Sequence, residues 1–386
     1  MNIKEEKKGI SLIVLVITII VIIILAVAVI LSIANNNPIE NAKEARDIHN
    51  QTTLEEAANL EYATLYSNKQ TVGTTFDTET IRNNLKNQGF NEEEVKKVEI
   101  TEKGLYVAKY LPTIPNGFTA SQATEEKYIN TGLVIYEGDT EINDENVATA
   151  RETRNQFVWI PVDDINEFKR QSFYSSSLSS SFKEPYEGEN ADPLEAEEYE
   201  VMYESVKKYH GFYIARYETS KNESGKAQSI GNKDPWVNMA WSSSMNNLYS
   251  GAVGASRNMY KKNESEIKDK DAISTLVYGV QWDQTVRFIE KNYPGISKEN
   301  NSSYGNYGNN PKIYTGSNQL YKQNNIYDMC GNVREWTMEA YLPENNRVRR
   351  GGYCGKDNND TISIRTPNGA HANDSYFGFR IALYIK

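Results

Sequence analysis

At 386 residues the chain is long enough for one good-sized domain with accessory units, about two or three in all. A formal charge of -10 and a pI near 5.1 exclude sequence-independent binding to nucleic acid, which needs a basic footprint to displace counterions. Two cysteines and three dispersed histidines (His49, His210, His371) form neither a thiol nor a multi-histidine metal motif.

In chain order, a short head carrying Lys4, Lys7 and Lys8 precedes Ile10–Ala34, an apolar run broken only by Ser11, Thr18 and Ser32. As a helix it reaches ~37 Å, enough to cross a hydrocarbon layer of ~30 Å with some tilt. Lysines on the N-terminal flank keep that end in the cytoplasm and place everything after Asn35 outside. Pro38–Ser67 has approximate helical spacing of Ile39, Ala42, Ala45, Ile48, Leu54, Ala57, Ala58 and Leu65, with proline where a first turn tolerates it. Thr80–Asn87 reads as a second helix and Val98–Lys109 as a hairpin centred on Glu102-Lys103-Gly104. A strand-like Gly132–Tyr136 and the polar run Glu137–Arg154 read as a linker. Serine-rich 172–181 and acidic 183–200 read as a solvated insertion with a helix over Pro193–Tyr209.

The head and apolar run resemble the leader of a type IV pilin or type II secretion pseudopilin, with Gly9 and Ile10 at the processing position. Val14 stands where those families usually have a glutamate. An uncleaved signal anchor and a cleaved secretory signal are the other readings, the run being too long and lacking a small-residue cleavage site for the latter, and all three export the rest of the chain.

Six stretches share one order: FVWIPV (Phe157–Val162), GFYIARYE (Gly211–Glu218), PWVNMAW (Pro235–Trp241), GVQWD (Gly279–Asp283), NIYDMCGNVREW (Asn325–Trp336) and RRGGYC (Arg349–Cys354); GFRIALYI (Gly378–Ile385) then closes the chain. The segment 156–386 resembles the formylglycine-generating enzyme (sulfatase-modifying factor) family, which implies a C-type-lectin-like fold. The fold class expected is therefore α+β. A transmembrane, pilin-like helix (1–34) leads to a stalk helix with a small hairpin region (35–111), a linker (112–154) and the formylglycine-enzyme-type domain (155–386).

Enzymes of that family bind copper through two cysteines beyond the double glycine. Here Cys354 follows Gly352 by two places and Asn359 stands where its partner would fall, so no copper is expected, since one thiolate cannot supply the two-coordinate soft site copper(I) prefers. The resemblance brings Cys330 and Cys354 together and implies a disulfide in an exported protein, the alternative being two separate buried thiols. It also aligns Asp328, Gly331, Val333 and Glu335 with calcium ligands, oxygen donors that suit Ca2+. Alternatively, Asp328 and Glu335 accept backbone and arginine hydrogen bonds that hold the turn.

Tyr213, Arg216 and Glu218, with Trp236, Trp241 and Trp282, line a pocket or belong to the core, Arg216 and Glu218 then pairing with each other. Lys356–Tyr376 is polar, with little apolar periodicity, and reads as a ligand-contacting loop through Asp357, Asn358, Asn359, Asn368, His371, Asn373 and Tyr376. Its composition resembles the diversified loops of retroelement variable proteins, which share this fold. The functional expectation is a bacterial, single-pass, membrane-anchored binding or display protein, its main domain extracellular and its partner a glycan, peptide or surface protein. Its rivals are a pseudopilin-like subunit among other pilin subunits and an active oxidoreductase of the family.

Overall fold

Pro38 opens a 35-residue helix, α1 (Pro38–Val72), in a computed structural model that describes residues 38–73, 75–173, 178–188, 191–243, 250–298, 303–342, 346–355 and 360–386. The expected membrane span, with Gly9 and Ile10, lies outside those residues; among them no helix is long and apolar enough to cross a membrane. The chain is α+β and divides into two compact units between Val107 and Ala108.

In the first unit, α1 is followed by α2 (Thr78–Asn87), α3 (Glu92–Lys96) and the hairpin β1 (Val98–Thr101) and β2 (Gly104–Val107). Asp77 caps α2 by accepting from the Thr80 amide at 2.8 Å, and Asn91 caps α3 by accepting from the Glu94 amide at 3.0 Å, so donors with no intrahelical partner are satisfied. Leu54 and Ala58 of α1, four residues apart, meet Ile81 and Leu85 of α2 over Val95 and Val98. The helix runs five residues past the expected end at Ser67, and the turn at 102–103 falls where the sequence placed it.

The second unit begins with β3 (Phe118–Ala120), β4 (Val134–Glu137), α4 (Val147–Thr153), β5 (Gln156–Pro161), β6 (Phe182–Lys183), α5 (Pro193–Tyr209) and β7 (Gly211–Ala215). After the small hairpin β8 (Ser220–Lys221) and β9 (Ala227–Gln228) come α6 (Gly251–Asn258), β10 (Ala272–Leu276), α7 (Gly279–Asn292), and the short pair β11 (Lys322–Gln323) and β12 (Ile326–Tyr327). The chain closes with β13 (Arg334–Tyr341), β14 (Asn346–Arg350), β15 (Thr366–Gly369), β16 (Phe377–Phe379) and β17 (Ile381–Ile385). An antiparallel six-stranded sheet runs β10-β17-β7-β5-β4-β3, with β5 and β7 buried along their whole length, as a continuous apolar run requires. The other large sheet runs β15-β14-β13-β16, its last pair parallel, with β6 added on β13.

Two sequence expectations are corrected here. Residues 112–154 are not a linker: β3 and β4 extend the main sheet, and the polar run hides Val147 and Ala150, which α4 buries. Nor is the acidic stretch wholly solvated. Glu184 is half-buried and Glu195 fully buried, Glu195 because Arg347 reaches it with both terminal nitrogens at 2.7 and 2.9 Å. The helix expected over 193–209 forms with Asp192 as its cap and Pro193 in its first turn. It ends on His210, whose left-handed φ of 60° launches β7.

Candidate functional site

NIYDMCGNVREW and RRGGYC are strapped together by backbone. The Gly331 amide donates to the Gly351 carbonyl at 2.7 Å, and the Cys354 amide to the Asn332 carbonyl at 3.2 Å. Gly331 has a φ of 79°, and a Cβ there would fall 2.2 Å from the Asn306 carbonyl oxygen, so this turn requires glycine.

The buried carboxylates around this turn have more partners than the sequence supplied. Glu335 accepts from Arg380 at 2.6, 2.9 and 3.2 Å, using both oxygens. Asp328 accepts from the Gly316 amide at 2.7 Å and the Thr315 hydroxyl at 3.1 Å through Oδ2, while its Oδ1 has no partner among the described residues. Glu218 accepts from Asn332 Nδ2 at 2.7 Å and the Val333 amide at 3.1 Å. Burial, then Asp328 and Glu335, push Glu218 well above the usual carboxylate range, and burial raises Asp328 to about 6.

Tested against calcium, the set Asp328, Gly331, Val333 and Glu335 offers one orphaned oxygen on Asp328, but Glu335 is committed to Arg380. Among the described residues no group of three or more His, Cys, Asp or Glu is disposed to hold a metal ion. As arranged, these residues fit a fixed guanidinium rather than Ca2+.

The Cys330–Cys354 disulfide is also corrected: both are free, buried thiols. Burial pushes Cys330 up to about 12 even though the Tyr307 hydroxyl lies beside it, and burial pushes Cys354 up to about 11. Arg216 and Glu218 do not pair, because β7 ends at Ala215 and the two side chains then serve different neighbours. Arg216 bonds Glu126, between β3 and β4, at 2.6 Å and the Gln156 side chain, at the start of β5, at 3.1 Å. Tyr213, Trp241 and Trp282 are core, whereas Trp236 is half-buried. The indole of Trp336 donates to the Met239 carbonyl at 2.7 Å.

The polar C-terminal stretch divides. Asp357, Asn358 and Asn359 lie outside the described residues. Residues 360–363 and 365 are buried: the Ile362 carbonyl accepts from the Trp282 indole at 2.8 Å, and Arg365 bonds Glu339 at 2.7 Å and Asp283. Among the described residues, 366–376, Ala370 apart, is the part presented outward. Asn368 sits on β15 with its side-chain oxygen on the Gly369 amide at 2.8 Å, and exposed His371 rests against the Ser242 carbonyl at 3.0 Å. Asn373 is exposed, and Tyr376 packs on Tyr353 with ring centroids 5.2 Å apart. Asp374 pins the loop: its side chain accepts from the Tyr376 amide at 3.0 Å and its carbonyl from the Asn238 amide at 2.9 Å.

Beneath this loop lies a residue the sequence reading gave no role of its own. Arg349 is 3% exposed, its guanidinium 3.7 Å from the Phe377 ring centroid, and its Nε and Nη1 have no acceptor among the described residues. Burial, then neighbouring Arg334, lower it to about 10. Arg334 covers Tyr353 at 4.3 Å and pairs with Asp360 at 2.6 Å. Strand alternation sends Arg350 to the opposite face, where it bonds Asp283 at 2.6 Å and Glu339 at 3.1 Å. That alternation was the available signal: in a tandem arginine on a strand, one side chain must face away from the other.

No family model matches the chain, and no curated protein does. Among solved structures, the chain is similar to CarF, with 16% identity over 46% of this chain and 87% of CarF and a TM-score of 0.32. PvdO from Pseudomonas aeruginosa gives 14% identity over 60% of this chain and 95% of PvdO, at 0.32. Treponema denticola variable protein 1 gives 15% identity over 59% and 84% respectively, at 0.24. Likenesses of this strength carry no argument about activity.

Proposed function

We propose that the chain is a membrane-anchored extracytoplasmic binding protein whose second unit has the formylglycine-enzyme-like, C-type-lectin-like fold. It displays residues 366–376 to a glycan, peptide or surface protein. The observation that carries this reading is Arg349. A guanidinium taken almost wholly out of water, with two nitrogens unbonded among the described residues, costs stability unless something completes it, and it lies under exposed His, Asn and Asp side chains and half-buried Tyr376. Such adaptable polar groups with tyrosine anchors are what recognition surfaces use. Two buried thiols, both held protonated at neutral pH, favour binding over thiolate chemistry. The apolar run 10–34 behind Lys4, Lys7 and Lys8 supports the anchor.

The test is an array of surface glycans and peptides probed with the full chain and with the triple variant His371→Ala, Asn373→Ala, Tyr376→Ala. A ligand bound by the parent and lost in a variant of unchanged melting temperature is expected. Oxygen uptake with a cysteine-containing peptide after copper loading would replace the reading with an oxidase. A pseudopilin-like role is the second reading. It is favoured by α1, which leaves Ile48 and Leu60 exposed at 56% and 72%, as a helix awaiting a neighbour would. Ile10 as the mature N-terminus of the native protein would favour it, and an intact Met1 in membranes would remove it.

A further inference from the structure

Between the β8–β9 hairpin and the segment that follows α6, the second unit opens a cleft of about 640 Å3. Of the candidate residues named from the sequence, only Trp236, read there as lining a pocket or belonging to the core, lines it. Its size lies within the range of small-ligand sites, roughly 300–1,000 Å3. It is too small for a folded partner.

We propose that this cleft binds the uronic-acid unit of an acidic saccharide. Its platform is the half-buried Trp236, held from behind by Phe379 at 5.8 Å between ring centroids and by its own amide, which donates to the Thr219 carbonyl at 2.8 Å. An anchored indole offers a flat apolar face to the C–H side of a pyranose. Gly225, Ala227 and Ala255 supply the walls, and side chains that small leave room for a ring over the indole.

The charge of the cleft opposes that of the chain. Lys226, Lys261 and Lys262 line it against a single carboxylate, Glu266, in a protein of net charge -10. Lys262 bonds Asp271 at 2.7 Å, and Glu266 is engaged by the amide and side chain of Asn263 at 3.3 and 2.9 Å. Lys226 is exposed and forms no ion pair among the described residues, and Lys221 holds its ammonium 5.2 Å from the Trp236 ring centroid. A local excess of cations in an acidic molecule draws in an anion. These cations are lysines, point charges that attract an anionic group without imposing a planar geometry, and among hydroxyl-binding groups the anion of a saccharide that they meet is a carboxylate. The amides of Asn258 and Asn263 are the groups that hydroxyls require. The site is separate from 366–376, although the loop bearing Trp236 also bears Asn238, which holds Asp374.

Calorimetric titration of the full-length chain with trigalacturonic acid, maltotriose and hexaglutamate tests this. The uronate alone should bind saturably and more weakly as salt is raised. Its affinity should fall about tenfold or more in Lys226→Glu and in Trp236→Ala, and stay unchanged in the His371, Asn373, Tyr376 triple variant. Should Trp236→Ala lose stability, Lys226→Glu, at an exposed side chain, still decides. No heat with the uronate, equal binding of maltotriose or hexaglutamate, or a Lys226→Glu variant with the parent's affinity would each overturn the assignment.

Discussion

Glu184 shows how a residue that looks like surface can become a half-buried acid with a raised pKa. Its carboxylate accepts from the Val280 amide at 3.0 and 3.1 Å, capping the start of α7. Burial, then the Glu339 carboxylate, push it up to about 8, against a usual value of about 4.3 for a glutamate in water. The folded state therefore holds a proton that the unfolded chain has released at neutral pH, so the contribution of Glu184 to stability is fully present below the unfolded value and is lost as pH rises toward 8. Glu184→Gln keeps an acceptor for the Val280 amide and removes the titration. Its denaturation midpoint should vary less than the parent's between pH 5 and 8 (about the window between the two values) and should exceed the parent's at the upper end. A parent-like pH profile would show that the carboxylate is not the titrating group.

At the scale of elements, α2 illustrates how little sequence is needed when signals agree. The Asp77 and Thr80 cap, Ile81 and Leu85 on one face, and Lys86 in the last turn all specify the same helix, and its apolar face meets Leu54 and Ala58 of α1. Leu85 is fully buried there, so Leu85→Ala should cost about 2–5 kcal/mol of the first unit's stability through lost burial and a cavity. Amide hydrogen exchange reads this directly: faster exchange across 78–107, with 156–162 unchanged, is the expected pattern. Uniform acceleration along the whole chain would contradict it.

For the molecule as a whole, the test of the metal question is thermodynamic linkage. A ligand bound only by the folded state raises the melting temperature with its concentration. With Glu335 taken by Arg380, millimolar Ca2+ should leave the melting temperature of the full chain unchanged. A calcium-dependent rise that disappears in Asp328→Asn would return the ion to the glycine turn. In the same experiment Cys330 and Cys354 should resist alkylation until the second unit melts, because both are buried.

The sequence by itself determined what depends on local order. It determined the proline start and apolar spacing of α1, the body of α2, the hairpin turn at 102–103 and the glycine turn at Gly331, where side-chain spacing and backbone freedom are properties of a few adjacent residues. Tertiary structure decided which groups meet. Arg380 reaches Glu335 across 45 positions, Arg347 reaches Glu195 across 152, and Trp236 joins Lys226 and Asn263 at one cleft. It also divided a uniformly polar tail into the buried 360–363 and the displayed 366–376. Composition could not make that division, because a polar residue is buried wherever a partner from a distant strand satisfies its hydrogen bonds, and that partner is fixed only by the fold.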